Sequence, residues 1–397
     1  MRHPKNPQMP DGGAPQRVPV SIALASFTSS VDRFAVSPLL VFLAVDLGAS
    51  LDEAVAVAGV YFLAYGFTQP LWGGLSDRFG RMRMMRIALA GSVVFGLLSA
   101  IAPTLPLLMV FRCLTGACFG GIIPTAITFI GDTVPPLRRQ AALADNMAAI
   151  AVGTAIATAA AGVVGETVGW RLMFALPPVL AVGCIAALWT TAEPLLPARR
   201  PLLGAFAEAL RHRWMLAVIG LVFVEGAVVL GLLTLLAPAL QDQGLDASVA
   251  GLAVAAYGVS TLACSRLVRP ILRRLSVPAT MALGGAGMVA GYAAVAVHVS
   301  VPTVAFAAAA LGWTWALLHT SLQVWATDVL PGLRGTAVAL FAASLFAGSS
   351  VGTLVAGPLA DAGQWAWLFS ATAAVAAVLV GLVVVAQRRY LRSVPPS

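Results

Sequence analysis

One short charged segment separates two long apolar runs near the start of the chain: Gly73-Gly74-Leu75-Ser76-Asp77-Arg78-Phe79-Gly80-Arg81-Met82-Arg83. The flanking runs cover residues 54–72 and 84–102. Each is close to the length of about 20 residues that a membrane-spanning helix needs. Because the connection is so short, the two helices must be antiparallel neighbours. The glycines allow a positive φ or a close approach of two backbones. The segment therefore predicts membrane helices joined by a tight turn.

The composition of the whole chain supports a membrane protein. Apolar residues make up 59% of the 397 residues, and charged residues only 10%. Soluble domains carry about 25% charged residues. We therefore predict an all-α integral membrane protein with twelve transmembrane helices, at residues 18–44, 54–74, 84–103, 106–130, 140–164, 171–193, 214–239, 247–265, 278–298, 302–327, 335–359 and 365–387.

The basic residues are concentrated on one predicted side of the membrane. The chain has 24 Lys and Arg residues and a net charge of +8. With the N-terminus placed inside, all of them except Arg33, Arg112 and Arg171 fall in inner segments. The positive-inside rule then places both termini in the cytoplasm, which requires an even number of spans. The basicity reflects this topology and anionic lipid headgroups, so no nucleic-acid partner is predicted.

The second half of the chain repeats the first after a shift of 195 residues. The coincident pairs are Arg139 and Arg334, Gly153 and Gly348, Gly162 and Gly357, Glu166 and Asp361, Trp170 and Trp365, and Phe174 and Phe369. The repeat predicts two pseudo-symmetric six-helix halves. The predicted organisation is an N-terminal tail (1–17), a first half (18–193), a linker (194–213), a second half (214–387) and a C-terminal tail (388–397).

The sequence has no pattern typical of an enzyme or a metal site. There is no phosphate-binding loop and no cluster with metal-ligand spacing, so we predict no enzyme activity, metal or cofactor. The four cysteines lie in predicted spans and are expected to be packing residues. The first apolar run is too long for a signal peptide and lacks a small-residue cleavage site, so no processing is expected.

The charged segment resembles the signature loop between helices 2 and 3 of the major facilitator superfamily, Gly-x-Leu-x-Asp-Arg-x-Gly-Arg-Arg/Lys. Met82 departs from this pattern, and the basic residue follows at Arg83. The matching residues are Gly73, Leu75, Asp77, Arg78, Gly80 and Arg81. The resemblance, which covers residues 18–390, implies a secondary transporter with the major facilitator fold. It also implies a monomer whose two halves rock about a small-molecule site near the bilayer midplane.

In the family this loop acts as a conformational latch that holds the halves in the outward-facing state. The resemblance therefore implies that Asp77 meets the positive N-terminus of helix 11 near Gly335, and that Arg81 pairs with Asp132. Gly73, Arg78 and Gly80 belong to the same latch. The alternative is that these charges only hold the loop at the membrane surface. The equivalent loop, residues 265–276, has lost the acid and the glycines, so one latch is expected.

Ionisable residues inside predicted spans are candidates for function, because an unpaired charge in hydrocarbon is costly. Asp32 lies in the first span, ahead of Pro38, with Arg33 beside it. Adjacent helical positions point about 100° apart, so these two side chains cannot form a face-to-face pair. Asp32 is predicted to carry a proton or contact substrate, with Arg33 also in the cavity. The alternative is a permanently ionised Asp32 bonded to a neighbouring helix.

Arg112 is the second candidate. Leu108 to Gly116 resembles the helix 4 motif Leu-x-x-x-Arg-x-x-x-Gly of proton-coupled drug exporters, in which Arg112 and Gly116 match. This resemblance implies that Arg112 takes part in proton coupling with Asp32, whereas the alternative is a structural arginine. Antiporters commonly carry Gly-Pro in helix 5, but Ala157 and Thr158 hold that place here.

The second half offers a carboxylate and a polar face. Glu225 is nearly equivalent to Asp32 and is a further proton-coupling candidate, although it could instead face a water-filled vestibule without a coupling role. His319 and Gln323 lie four residues apart, hence on one helix face, with Trp315 nearby. These residues are predicted to line a cavity suited to an amphiphilic ligand, and a structural role for His319 is the alternative.

These patterns favour a bacterial inner-membrane exporter that moves small organic compounds or drugs outward by proton antiport, with the proton gradient as its energy source. The alternative is a proton-coupled symporter or a facilitator that takes up a sugar, an organic acid or another metabolite. A membrane sensor or a lipid flippase on the same fold is a third possibility.

Overall fold

The computed structural model describes residues 18–194, 202–272 and 274–393. Parts of the predicted organisation lie outside these ranges, namely the N-terminal tail of residues 1–17, residues 195–201 of the linker, Arg273 of the loop at 265–276, and residues 394–397. We call residues 18–194 the N-terminal part and residues 202–393 the C-terminal part.

The described chain is helical almost throughout. The helices of the N-terminal part are α1 (Val20–Phe34), α2 (Leu40–Leu47), α3 (Leu51–Phe79), α4 (Arg81–Ala100), α5 (Leu105–Phe119), α6 (Ile122–Thr133), α7 (Pro136–Thr167) and α8 (Trp170–Leu188). Those of the C-terminal part are α9 (Leu202–Arg211), α10 (Arg213–Gly226), α11 (Leu236–Asp242), α12 (Ala247–Leu272), α13 (Val277–Val297), α14 (Val301–Thr314), α15 (Thr320–Val329), α16 (Arg334–Asp361) and α17 (Trp365–Ser393).

Eleven helical segments within the described ranges are long and apolar enough to cross a membrane. Each corresponds to one of the predicted spans from residues 54–74 onward. The first predicted span, residues 18–44, is not among them because it is broken. Pro38 lacks a backbone N–H, and a 3-10 turn at Ser37–Leu39 separates α1 from α2. The described chain is therefore helical, with eleven segments that are long and apolar enough to span a membrane.

The broken segment nevertheless follows α8 from one end to the other. At the start of α1, Ser21 Oγ lies 2.8 Å from Thr191 Oγ1, just beyond the end of α8. Near the end of α2, Asp46 Oδ2 accepts a 3.0 Å hydrogen bond from Trp170 Nε1, at the first residue of α8. We call the end of the bundle near Ser21 the termini face, and the end near Asp46 the opposite face.

The C-terminal part contains a similar broken segment. A π-helical turn, Ala227–Gly231, follows α10, and α11 comes after it. Trp365 Nε1 then donates a 2.7 Å hydrogen bond to Asp242 Oδ2, as Trp170 does to Asp46. Trp170 and Trp365 are one of the pairs that the 195-residue repeat aligns. The same contact therefore recurs at equivalent places in the two parts.

Hydrogen bonds join the two parts at the opposite face. Two of them link the broken segments: Ser37 Oγ donates to the Thr234 carbonyl (2.7 Å), and Gln241 Nε2 donates to the Pro38 carbonyl (3.1 Å). Along the bundle, α3 packs on α16 and α7 packs on α12, so each part contributes two helices to the contact between them.

Two further contacts at this face use carboxylates at helix ends. Asp361, the last residue of α16, accepts a 2.7 Å hydrogen bond from the Leu51 N–H at the start of α3. Glu166, near the end of α7, accepts a 3.1 Å bond from the Ser248 N–H at the start of α12. A carboxylate at a helix N-terminus is stabilised by the helix dipole. The repeat pairs Glu166 with Asp361, so each part contributes one such cap to the other.

The termini face is less closely packed at the predicted latch. Within the described ranges, no atom lies within 4 Å of the position that a Cβ would take at Gly73 or at Gly335. The helix ends that carry these residues are therefore not pressed against other elements at these points. The contacts between the two parts at the opposite face therefore close the bundle there, whereas the latch region at the termini face is open around Gly73 and Gly335.

The closest helix contact in the C-terminal part depends on glycine. A Cβ at Gly348 on α16 would lie 1.8 Å from the Phe223 carbonyl oxygen on α10, which no side chain can tolerate. We therefore expect Gly348→Ala to destabilise the protein by about 1–3 kcal/mol, the usual cost of overpacking, and to lower the thermal unfolding midpoint in detergent.

Gly220→Ala on α10 is the matched control, because no described atom lies within 4 Å of its Cβ position. It should leave the midpoint unchanged or raise it slightly, since alanine favours helix more than glycine does. Equal midpoints for the two variants would contradict the packing account.

Candidate functional site

Asp32 and Arg112 form an ion pair in the interior of the N-terminal part. Arg112 Nη1 donates to Asp32 Oδ1 at 2.8 Å, and Nη2 donates to the Asp32 carbonyl at 3.2 Å. Both side chains are only 1% exposed. The guanidinium lies over the rings of Tyr61 and Phe174, at 4.5 and 4.7 Å from their centroids. This ion pair joins α1 to α5, and it involves the two residues that the family resemblance pairs.

The pair leaves one carboxylate oxygen without a partner. Asp32 Oδ2 is buried and accepts no hydrogen bond within the described part of the chain. Oδ1, in contrast, accepts the hydrogen bond from the Arg112 guanidinium. A proton added to Oδ2 would leave the Arg112 charge without its counter-ion. Protonation of this site would therefore change the charge balance of the whole bundle interior.

Arg33 is turned away from this pair, as expected for adjacent helical positions. Its side chain is 8% exposed, and its guanidinium lies 4.8 Å from the Phe34 ring centroid, 5.2 Å from that of Tyr65 and 5.4 Å from that of Phe346. Phe346 is on α16, so this aromatic cage is built from both parts of the chain. Arg33 makes no hydrogen bond or ion pair with other described residues, and its Nε is buried without a partner.

Glu225 and His319 meet in the C-terminal part. His319 Nδ1 lies 3.3 Å from Glu225 Oε2, and Glu225 is fully buried with Oε1 unpartnered. The His319 ring stacks on Trp315 at 3.6 Å between centroids and meets the edge of Phe341 at 5.2 Å. The sequence places Glu225 and His319 in one cavity without pairing them, so this contact is a finding of the structure.

Two π-helical turns shape this second pair. One, Ala227–Gly231, begins two residues after Glu225, and the other, Trp315–His319, ends at the histidine. The hydroxyl of Tyr292 donates to the Val228 carbonyl in the first turn. Such turns are rare in proteins as a whole, and those that occur are often found at functional sites. The sequence gives no signal for them, because they depend on how neighbouring helices pack.

Not every residue of the predicted polar wall joins this site. Gln323 is half-buried on α15, and among the described residues it forms no hydrogen bond with Glu225 or His319. Trp325 packs instead against Trp214, at 6.3 Å between centroids. Trp315 is therefore the tryptophan that contacts His319.

The charged loop at the termini face is organised around Arg81. Arg81 Nε donates to Asp132 Oδ2 at 3.1 Å, and its Nη1 donates to Ser76 Oγ at 2.8 Å and forms an ion pair with Asp77. Gly80, with φ of +106°, supplies the left-handed backbone between α3 and α4. Arg78 lies on the ring of the adjacent Phe79, 5.1 Å from its centroid.

The expected contact between Asp77 and the start of α16 is not formed in this conformation. Asp77 is half-exposed and pairs with Arg81 of its own loop, and Gly335 has no described atom near its Cβ position. The latch contact is expected only when the termini face is closed. Its role therefore remains a prediction.

Glu193 contacts the start of α4, and nothing in the sequence indicated this contact. Its carboxylate accepts hydrogen bonds of 3.1–3.2 Å from the backbone N–H groups of Met82 and Arg83 at the start of α4. A carboxylate there is stabilised by the helix dipole. It ties the segment after α8 to the charged loop. A contact between residues 111 positions apart leaves no periodic signal in the chain.

Comparison with known proteins gives the context for these contacts. The family model described as Major Facilitator Superfamily matches residues 22–243 and 218–397. The multidrug export protein EmrB of Haemophilus influenzae is 27% identical over 178 residues, 45% of this chain and 35% of that protein. The fatty acid resistance protein FarB of Neisseria gonorrhoeae is 29% identical over 180 residues, again 45% of this chain and 35% of that protein.

The chain thus spans about a third of the length of these two curated relatives. A D-xylose-proton symporter of known structure has a similar fold, with a TM-score of 0.74 at 17% identity over 91% of this chain and 96% of that one. A solved nucleoside transporter, NupG, has a TM-score of 0.73 at 14% identity over 93% of this chain and 98% of that one.

Because Asp32 and Arg112 are buried together, removing one of them should destabilise the protein more than removing both. Removing one partner of a buried ion pair leaves an uncompensated charge and costs about 3–5 kcal/mol, whereas replacing both can be nearly neutral. We expect Asp32→Asn and Arg112→Met each to lower the thermal unfolding midpoint in detergent. The double variant should be more stable than either single variant. Additive losses would show that the two charges are not coupled.

Proposed function

Because the chain belongs to the major facilitator superfamily, a family of membrane transporters, we propose that it exports small organic compounds or drugs by proton antiport through alternating access. The observation that carries this proposal is the buried Asp32–Arg112 pair with its free Oδ2. The name of one relative, the multidrug export protein EmrB, supports the same direction. The energy source would be the proton gradient, with no cofactor.

The proposed architecture has twelve spans in two six-helix halves, residues 18–193 and 214–387. The broken segment from Val20 to Leu47 would be the twelfth span, and the end-to-end contact with α8 supports this. The linker of residues 194–213 would then join the halves on the cytoplasmic side. The termini face becomes cytoplasmic by the charge distribution, and the opposite face becomes external. The protein would be a monomer in a bacterial inner membrane.

In this mechanism the proton is taken up at Asp32 Oδ2 and passes between the two sides of the membrane as the halves rock. Arg112 and its aromatic neighbours hold the carboxylate in place. Glu225 is a second acceptor, because its Oε1 is free and the imidazole of His319 can share a proton with Oε2. Substrate would lie beside Arg33, Trp315 and His319.

A proton-coupled symporter or facilitator is the second candidate. It is favoured by the absence of Gly-Pro at Ala157 and Thr158 in α7, a feature that exporters of this type commonly carry. The likeness in fold to a D-xylose-proton symporter is compatible with it but shows the fold alone.

Transport in proteoliposomes separates the two candidates. A pH-sensitive dye trapped inside the vesicles reports proton movement. Test substrates (cationic dyes, drugs, sugars or organic acids) are then added outside, and an exporter should move protons in the direction opposite to the substrate. Asp32→Asn should abolish this coupling, whereas Asp246→Asn, an exposed carboxylate on the opposite face, should not. Proton movement in the same direction as the solute, or solute flux without protons, would contradict antiport.

The latch makes an independent prediction. Asp77→Asn should leave the protein inserted but weaken closure of the termini face. A helix-dipole contact of about 1 kcal/mol changes a population roughly fivefold, so the initial transport rate should fall by a similar factor. Glu208→Gln on α9, an exposed acid near the same face, is the control. An unchanged rate for Asp77→Asn at equal protein amount would refute the latch.

A further inference from the structure

Arg33 is a buried cation that forms no ion pair with an acidic side chain in the described part of the protein. It is 8% exposed, and its Nε has no hydrogen-bond partner among the described residues. The nearest acid in sequence, Asp32, is already committed to Arg112 at 2.8 Å. Glu225, on α10, has its contact with His319. Buried charges in membrane proteins are normally paired, so Arg33 is an exception that needs an explanation.

The surroundings of Arg33 are aromatic and come from both halves. Phe34 and Tyr65 belong to α1 and α3, whereas Phe346 belongs to α16. A guanidinium can rest on aromatic faces, and these contacts hold it in a fixed orientation. They leave its hydrogen-bond donors unused, and a guanidinium has five of them. The cage therefore positions the donor group without satisfying it.

Arg33 also lines a small cavity between the halves. The cavity has a volume of about 10 Å³, and its other walls include Ser37, Phe62, Thr158 and Thr234. This volume is no more than a single water requires. The opposite face is closed directly beside it, where Ser37 Oγ donates to the Thr234 carbonyl. A larger ligand could reach Arg33 only in a conformation in which the halves have moved apart.

We propose that Arg33 binds the anionic group of the transported substrate, which is an organic carboxylate with an aromatic or alkyl body. The planar guanidinium matches a carboxylate in a bidentate geometry. Tyr65, Phe62 and Phe346 supply the apolar surface for the body. This inference rests on the proposed transport function and adds the charge of the substrate. Asp32 and Arg112 cancel each other, so the charge of Arg33 remains available to an anion.

The test is a binding measurement that needs no proton gradient. Calorimetry on the purified chain in detergent would compare octanoate, 2-naphthoate and biphenyl-4-carboxylate with the neutral amide and the cationic amine of each scaffold. At least one carboxylate should bind more tightly than its amide and its amine. Loss of a charged hydrogen-bonded contact should weaken that binding roughly tenfold to hundredfold in Arg33→Met.

Two further variants keep the result interpretable. Arg33→Lys retains the charge but loses the bidentate geometry, so it should retain part of the preference for the carboxylate even if Arg33→Met folds poorly. Arg171→Gln, an exposed arginine on the opposite face, should bind as the unmodified chain does. No preference for any carboxylate in the unmodified chain, or an undiminished preference in Arg33→Met, would overturn the proposal.

The proteoliposome measurement separates this inference from the proposed function. Arg33-dependent carboxylate binding without opposite proton flux would refute antiport and leave the inference standing. Proton-coupled flux of the cationic amines that equals or exceeds that of the carboxylates, and does not change in Arg33→Met, would support antiport and overturn the inference.

Discussion

Hydrocarbon tolerates few uncompensated charges, and this constraint explains where the ionisable residues of the chain lie. Asp32 and Arg112 are buried together, with the carboxylate and the guanidinium 2.8 Å apart. Glu225 is buried with an imidazole beside it. Arg33 has no acidic partner among the residues that the structure describes, and it is held by aromatic rings instead. Other charges, such as Asp46 and Arg171, are exposed at the opposite face. One added proton or ligand charge therefore changes the charge balance of the bundle interior.

The same constraint acts on the backbone, because each helix end must satisfy its free N–H groups. At the opposite face this is done between the two parts of the chain: Asp361 of α16 caps the start of α3, and Glu166 of α7 caps the start of α12. These contacts close one face, while the start of α4 at the other face is capped by Glu193 within the same half. Closure thus depends on contacts that a relative movement of the halves would break. This arrangement suits a protein that opens its two faces in turn.

The sequence predicted most of the fold because membrane spans are read from length and hydropathy alone. It also indicated candidate functional residues, since Asp32, Arg112 and Glu225 are ionisable residues within apolar runs. The Arg81–Asp132 contact was anticipated from the family motif. What it could not predict depends on tertiary packing. The π-helical turn at Trp315–His319, the partnership of His319 with Glu225 and the cap from Glu193 join residues far apart in the chain. Pro38 was visible as a break, but its effect on the first span was not.

The central claim is that the two halves open alternately at the two faces around these buried charges. Pulsed EPR on spin-labelled cysteine pairs tests it directly, with one pair at Val168 and Val297 on the opposite face and another at Leu137 and Leu275 on the termini face, all exposed positions. The account predicts a second population, favoured by acid or by substrate, in which the first distance is longer and the second is shorter. A single unchanging population, or two distances that lengthen together, would contradict it.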